Sequence, residues 1–250
     1  MKYRVSLKIP FKGFLVLSNF YIYAIMIIMT NKKENILGVD IGGSKINFVA
    51  WDGRKIIKQV LIQKPTIAKL KRGIEQFPEI TKIGFGAPGI VDAKTGKIIK
   101  CPNLPEFNGL NLKKLFPDNE IKIDNDVHCF LLAEKLIGQA KNKKNVLAVM
   151  MGTGIGGAIM INNKILPQPA GEVGRMIIDN GQTWEKLYQK NKNNPQKQKQ
   201  IHKIAIANLI NIFNPEIIIL GGKGARSCRG LGLLQVSENT AAIGAALLFE

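Results

Sequence analysis

Asp40-Ile41-Gly42-Gly43-Ser44-Lys45, the stretch D-I-G-G-S-K, lies between two apolar runs, residues 36–39 and 46–51. Apolar run, glycine pair, apolar run predicts a β-hairpin with no side chains crowding its turn. Gly42 and Gly43 can take positive φ and let a ligand approach the backbone. Successive N–H groups in such a turn form a concavity suited to an anion. Asp40, at the strand end, can hold a hydrated Mg²⁺. Ser44 and Lys45 add a hydroxyl and a cation. Alone, the stretch also fits an ordinary tight hairpin; glycine turns further along give it a partner.

Asp52-Gly53 is a second hairpin signal, with a third strand expected over 55–62. Ile67, Leu70 and Ile74 recur at helical spacing within 66–77. A short strand at 83–85 runs into G-A-P-G at 86–89, and C-P-N-L-P at 101–105 holds Asn103 between two prolines that stiffen its loop. Residues 121–123 lead into Asp124-Asn125-Asp126, and the apolar spacing from Val127 to Ile137 predicts a helix closed by Gly138. One of those three polar residues suffices to cap the helix. The others are available to a ligand, and an Asp there can accept a proton from a substrate hydroxyl.

Residues 146–151 are β-type and end in G-T-G-I-G-G at 152–157, a match to the dinucleotide pattern G-x-G-x-x-G. That pattern needs a helix next. Here a short apolar run, 158–161, is turned by Asn162-Asn163, so strand–turn–strand is expected, as at Asp40. A-G-E-V-G-R at 170–175 offers Glu172 to sugar hydroxyls, with Arg175 beside it. Residues 186–215 contain no acid and read as a solvated connector followed by a helix at 201–213. A buried strand at 217–220 ends in Gly221-Gly222, and 241–248 reads as a small-residue helix able to pack closely on a neighbour or a nucleotide.

The chain has 250 residues, 46% of them hydrophobic, enough for one or two domains with a real core. A net charge of +18 raises nucleic acid or anionic membrane as partners. The lysines of 190–203, however, carry no interleaved aromatics of the kind that bind single strands. Cys101, Cys129 and Cys228 are far apart and form no CxxC, so neither a zinc knuckle nor a disulfide framework is signalled and a reducing cytoplasm is expected. Residues 1–28 carry Lys2, Arg4, Lys8 and Lys12 and no acid, and the apolar run from Phe14 is short for a membrane span. No small-residue cleavage site follows it. Residues 1–28 are therefore expected to be an apolar leader or an extension upstream of a true start at Met29, with an N-terminal α/β lobe over 29–125 and a shortened C-terminal α/β lobe over 126–250.

Taken in order and spacing, these motifs resemble the ROK family of sugar kinases, the glucokinase-like branch of the actin-like ATPase superfamily. The resemblance runs from about Ile36 to the C-terminus. It rests on D-I-G-G-S-K, G-A-P-G, P-N-L, D-N-D, G-T-G-I-G-G, G-E-V-G, N-P-E-I-I-I-L-G-G and the closing I-G-A-A-L. It implies an α/β, two-lobed actin-like ATPase (ribonuclease H-like) fold, ATP and Mg²⁺ as cofactors, a hexose substrate and a homodimer, with neither membrane nor specific nucleic acid as partner. By the same resemblance Asp126 is the catalytic base, and Asn103, Asn125 and Glu172 are sugar-binding positions. Asp40, Gly42, Gly43, Ser44 and Lys45, together with Gly152, Thr153 and Gly154, correspond to the phosphate clamps. Gly221 and Gly222 correspond to the adenosine side, and Asp40 is expected to hold Mg²⁺ through water.

Departures from the family pattern shape the rest of the reading. Arg175 stands where G-E-x-G-H has histidine, and it joins the expected sugar site in that place. The cysteine-rich zinc motif is replaced by I-I-D-N-G-Q-T-W-E-K-L-Y, so no zinc site is expected, and Glu185 resembles the glutamate that closes the motif and touches the sugar. The segments between Glu185 and Asn214, and between Gly222 and Ala241, are shorter than the family's, which implies a reduced C-terminal lobe. The expected activity is ATP-dependent phosphorylation of a hexose hydroxyl; the alternative is a non-catalytic sugar or nucleotide sensor of the same fold. A DNA-binding repressor would need a helix-turn-helix ahead of this part, and the 35 residues before Ile36 lack that pattern.

Overall fold

β1 (Ile36–Ile41), β2 (Lys45–Trp51) and β3 (Ile56–Gln63) form an antiparallel meander. After α1 (Ile67–Ile74), β4 (Lys82–Ala87) returns parallel to β1. A ribbon of β5 (Ile90–Asp92) and β6 (Lys97–Lys100) and the short α2 (Leu112–Leu115) precede β7 (Glu120–Asn125), which lies parallel to β4. The sheet order is β3-β2-β1-β4-β7. The computed structural model describes residues 34–228, 234–235 and 238–250, so the expected leader at 1–28 lies outside the described residues. Alternation along the strands sends Leu37, Val39, Phe48, Ile83 and Phe85 to one face, where they pack with Leu70 of α1. Thr66 starts that helix, its hydroxyl accepting the Lys69 N–H at 3.2 Å.

α3 (Asp126–Leu136) leads to a second sheet that repeats the connectivity of the first. β8 (Val146–Met151), β9 (Ile155–Ile161) and β10 (Lys164–Ile165) make its meander. A ribbon of β11 (Ile177–Asp179) and β12 (Gln182–Thr183), then α4 (Trp184–Lys190) and α5 (Pro195–Phe213), lead to β13 (Ile217–Gly221), parallel to β8. β14 (Leu234–Gln235) pairs parallel with β13, and α6 (Thr240–Ala246) follows. The order is β10-β9-β8-β13-β14. Two sheets of matching order give a two-lobed α/β fold. Among the described residues both edge strands of the second sheet have two residues, against eight and six at the edges of the first.

The solvated connector expected before Ile201 is instead helix, because α5 starts at Pro195. Proline at the first helical position loses no hydrogen bond and is pre-set in φ. Asn194 caps it, accepting the Lys197 N–H at 3.0 Å. Gln198, Ile201, His202, Ala205 and Leu209 then bury one face.

Between the sheets α3 and α6 lie against one another. Val127, Phe130 and Leu131 of α3 pack with Ala148, Ala158 and Ile219 of the second sheet. α6 lies instead on the first sheet, over Gly38 and Gly84, which are register partners on β1 and β4. A Cβ on Gly38 would stand 1.9 Å from the Ala242 carbonyl oxygen, and one on Gly84 1.8 Å from that of Ala245. Gly244 does the same for the helix pair, its absent Cβ leaving room for the Cys129 carbonyl. The small-residue helix therefore packs on a sheet and on a neighbouring helix. No helix among the described residues is long and apolar enough to cross a membrane.

Candidate functional site

A cavity of about 550 Å³ opens between the sheets, lined by the turns at the ends of β1 and β8 and by the start of α3. In the first turn the Gly42 N–H donates to the Lys45 carbonyl at 2.9 Å. Neither Gly42 nor Gly43 takes the positive φ expected from the sequence. What Gly43 supplies is room: a Cβ there would stand 2.6 Å from Thr153 Oγ1 of the second turn. The two turns thus meet across the cavity. Gly152 N–H closes the second turn onto the Gly154 carbonyl at 2.9 Å, and β9 follows directly, so the helix of a dinucleotide fold does not form. Lys45 Nζ is held by Glu238 Oε2 at 2.5 Å.

Asp124, Asn125 and Asp126 have three separate tasks. Asp124 Oδ1 accepts the Asn125 N–H at 2.6 Å and faces His128 Nδ1 at 3.1 Å. Asn125 caps α3, its Oδ1 accepting the Val127 N–H at 2.9 Å and the His128 N–H at 3.4 Å. Its amide donates to the Gly89 carbonyl at 3.1 Å and, more weakly, to that of Ala87. Asn125 borders the cavity, but its polar atoms are engaged within the protein, which leaves them no free valence for the expected sugar contact. Asp126 is the carboxylate of the three that lines the cavity; its Oδ1 accepts the Val127 N–H at 2.9 Å, and its own N–H and the Asn125 side chain also hold it.

Asp40 lines the same cavity. Burial, then the nearby Asp126 charge, push its carboxyl up to about 7, against a smaller downward pull from Lys45. Burial likewise pushes Asp126 up to about 6, opposed by the Val127 N–H and by His128. Two under-compensated carboxylates facing one cavity beside a glycine turn form a donor set of the hard oxygen type that a hydrated Mg²⁺ takes. The residues present therefore fit the ion expected at Asp40.

On the opposite wall Asn103, Glu172 and Arg175 border the cavity. Glu172 Oε2 pairs with Arg175 Nε at 2.9 Å, with the arginine side chain 75% exposed. Glu185 also reaches the cavity, with its Oε2 accepting the Ile155 N–H at 2.7 Å. Ser44, Lys45, Thr153 and Gly222 line it as expected. Gly221 does not: it lies at the end of β13, packed under Phe130 and the Met150 sulfur, because alternation along the strand points it into the core. Sequence reasoning passed over Gln168, which reaches across the cleft, its amide donating to the Gly89 carbonyl at 2.8 Å and accepting the Val91 N–H at 3.2 Å. It also passed over Glu238, Tyr188 and Gln189. The helical spacing of Trp184, Leu187 and Tyr188 was the available signal for the last two.

Residues 36–194, which carry both turns and the Asp126 wall, match the ROK family. The chain belongs to the ROK family. Among relatives, this ROK protein is 26% identical to the glucokinase of Thermotoga maritima over 170 residues, 59% of this chain and 52% of that one. It is 33% identical to the N-acetyl-D-glucosamine kinase of Aliivibrio salmonicida over 162 residues, 57% of this chain and 53% of that one. The ROK chain spans about half the length of the curated relatives it matches. In fold it is similar to a ROK family glucokinase from Streptomyces griseus in complex with glucose and AMPPNP, with a TM-score of 0.71 at 20% identity, covering 86% of this chain and 98% of that one. The inorganic polyphosphate/ATP-glucomannokinase of Arthrobacter sp. gives a TM-score of 0.73 at 22% identity, with the same coverage. A ROK family transcriptional regulator, a homolog of the E. coli MLC protein, gives 0.72 at 19%, covering 87% of this chain and 78% of that one. The ROK fold is thus shared by kinases and a regulator, and the site must distinguish them.

Proposed function

We propose that this ROK protein transfers the γ-phosphoryl group of ATP to a hydroxyl of a hexose. The observation that carries the reading is the position of Asp126, whose carboxylate faces the cavity that both glycine turns enter. A kinase of this kind needs positioning and charge neutralisation more than covalent help. In this reading the Gly43, Thr153 and Gly154 N–H groups of the two turns hold the phosphates, and Gly222 borders the nucleoside. Asn103, Glu172 and Arg175 hold the sugar against Asp126, which accepts the proton of the attacking hydroxyl. Mg²⁺, with Asp40 as its protein anchor through water, would neutralise charge on the phosphates. Gln168, bridging to the Gly89 and Val91 backbone, closes one side of the cleft and limits access of water to the γ-phosphate.

The test is ADP release with Mg-ATP and a panel of hexoses, run beside Asp126→Asn. Sugar-dependent release that the substitution abolishes supports the reading, and the panel names the sugar. A non-catalytic sensor of the same fold is the second reading, favoured by Arg175, which is already paired with Glu172 at the sugar wall. Folded protein that binds ATP or a sugar, yet releases no ADP with any hexose, would move the assignment to the sensor.

A further inference from the structure

α4 stands behind the second glycine turn, and three of its side chains each take one backbone group of that turn. Glu185 Oε2 accepts the Ile155 N–H at 2.7 Å. Tyr188 Oη donates to the Gly152 carbonyl at 3.1 Å. Gln189 Nε2 donates to the Thr153 carbonyl. Positions i, i+3 and i+4 share one helix face, so a single rigid element makes all three bonds. The approach is close: a Cβ on Gly154 would stand 2.4 Å from Glu185 Oε2.

α4 is itself fixed at both levels. Thr183 Oγ1 accepts the Lys186 N–H at 3.3 Å, and the Trp184 N–H donates to the Met176 carbonyl at 2.8 Å. Behind it, buried Trp184 Nε1–H donates to His202 Nδ1 of α5 at 2.9 Å. A glycine-rich turn loses much conformational entropy on ordering, and its own closure through Gly152 and Gly154 fixes little of it.

The direction of the bonds matters more than their number. In a planar trans peptide the carbonyl and the N–H point in opposite directions. Drawing the Gly152 and Thr153 carbonyls back onto α4 therefore turns the N–H groups of Thr153 and Gly154 the other way. Among the described residues those two N–H groups take no partner, and both residues line the cavity. We propose that Glu185, Tyr188 and Gln189 are positioning residues, and that α4 is a splint that holds the Thr153 and Gly154 N–H groups toward a bound phosphate. The proposal rests on the kinase reading for the identity of that phosphate. It gives Glu185 a backbone task in place of the sugar contact expected of it.

The experiment is calorimetric titration of the full chain with the magnesium complex of AMPPNP. Tyr188→Phe removes one donor and weakens binding about fivefold, and Tyr188→Phe with Gln189→Met weakens it about twenty-fivefold, at roughly one ordinary hydrogen bond each. Glu185→Ala weakens it similarly, and Glu185→Gln, whose amide oxygen still accepts from Ile155, recovers most of that loss. Affinity for the hexose that supports turnover stays within about twofold in the tyrosine and glutamine variants, which general loosening of the fold would not allow. Amide exchange at 153–155 becomes faster in the same variants. Variants that match a nucleotide-binding wild type in affinity overturn the positioning role alone. A wild-type chain that binds no nucleotide overturns the kinase reading and the phosphate-facing role together.

Discussion

Asp126 and Asp40 are held in unfavourable surroundings for charge, and burial is the main reason in both cases. In the proposed reaction, a base at about 6 would be ionised near neutral pH and still basic enough to take a hydroxyl proton. That proposal makes the ionised form the active one, so the Asp126 contribution to kcat/KM should fall about tenfold per pH unit once pH drops below about 6. A pH–rate profile checks this, and a flat profile down to pH 4.5 would remove Asp126 from the role. Asp126→Asn should lower kcat by about a hundred- to ten-thousandfold while leaving nucleotide affinity near wild type. Asp40 must be ionised to anchor a cation, so Mg²⁺ affinity should weaken as pH falls through about 7, measurable by titration of the metal at fixed nucleotide.

His202 carries a prediction of another kind, about folding. Burial lowers its imidazole to about 4, and its Nε2 has no hydrogen-bond partner among the described residues, so the neutral ring is the one the fold accepts. The folded value lies below the unfolded one. Its contribution is therefore fully present above pH 6.5 and is lost as pH falls from about 6.5 to about 4. The loss is on the order of 3 kcal/mol. Urea unfolding across that window should show this slope, and His202→Gln, which keeps an acceptor for Trp184, should remove it.

At the scale of elements, Gly38 and Gly84 make a flat spot on the first sheet where α6 lies against backbone. Gly84→Ala forces a methyl onto the Ala245 carbonyl and should cost about 3 kcal/mol or more, read as a lower urea midpoint at unchanged m-value. The hairpins themselves were readable in advance, because an apolar run, a glycine pair and a second apolar run state both strands and the turn locally. Asp126 was readable for the same reason: a strand, a polar cluster and a helical period abut in sequence. Gly38 and Gly84 were not, since a glycine within a strand says nothing of the helix, far on in the sequence, that needs its space. The grip of Tyr188 and Gln189 on the second turn depends on where α4 docks, which no local spacing encodes. Lysines, asparagines and Pro195 suggested a solvated connector at 186–200, and tertiary burial of Gln198, Ile201 and His202 overrode that local preference.

For the whole molecule, the cavity is walled by residues of both sheets, so a ligand that fills it ties the lobes together. Mg-ATP at a hundred times its Kd should raise the unfolding free energy by about 2.7 kcal/mol. One cooperative transition, shifted as a unit by nucleotide, is the expected melting behaviour; two transitions with only one shifted would mean the lobes unfold separately. The packing of α6 on the first sheet also sets an order of events on the ribosome. The strands that carry Gly38 and Gly84 are synthesised well before the helix that covers them, Thr240–Ala246, which follows the strands of both sheets. Until it emerges, that face of the earlier sheet lacks its native cover, and the nascent chain must be shielded or must wait, half-dressed, while the whole second sheet is made.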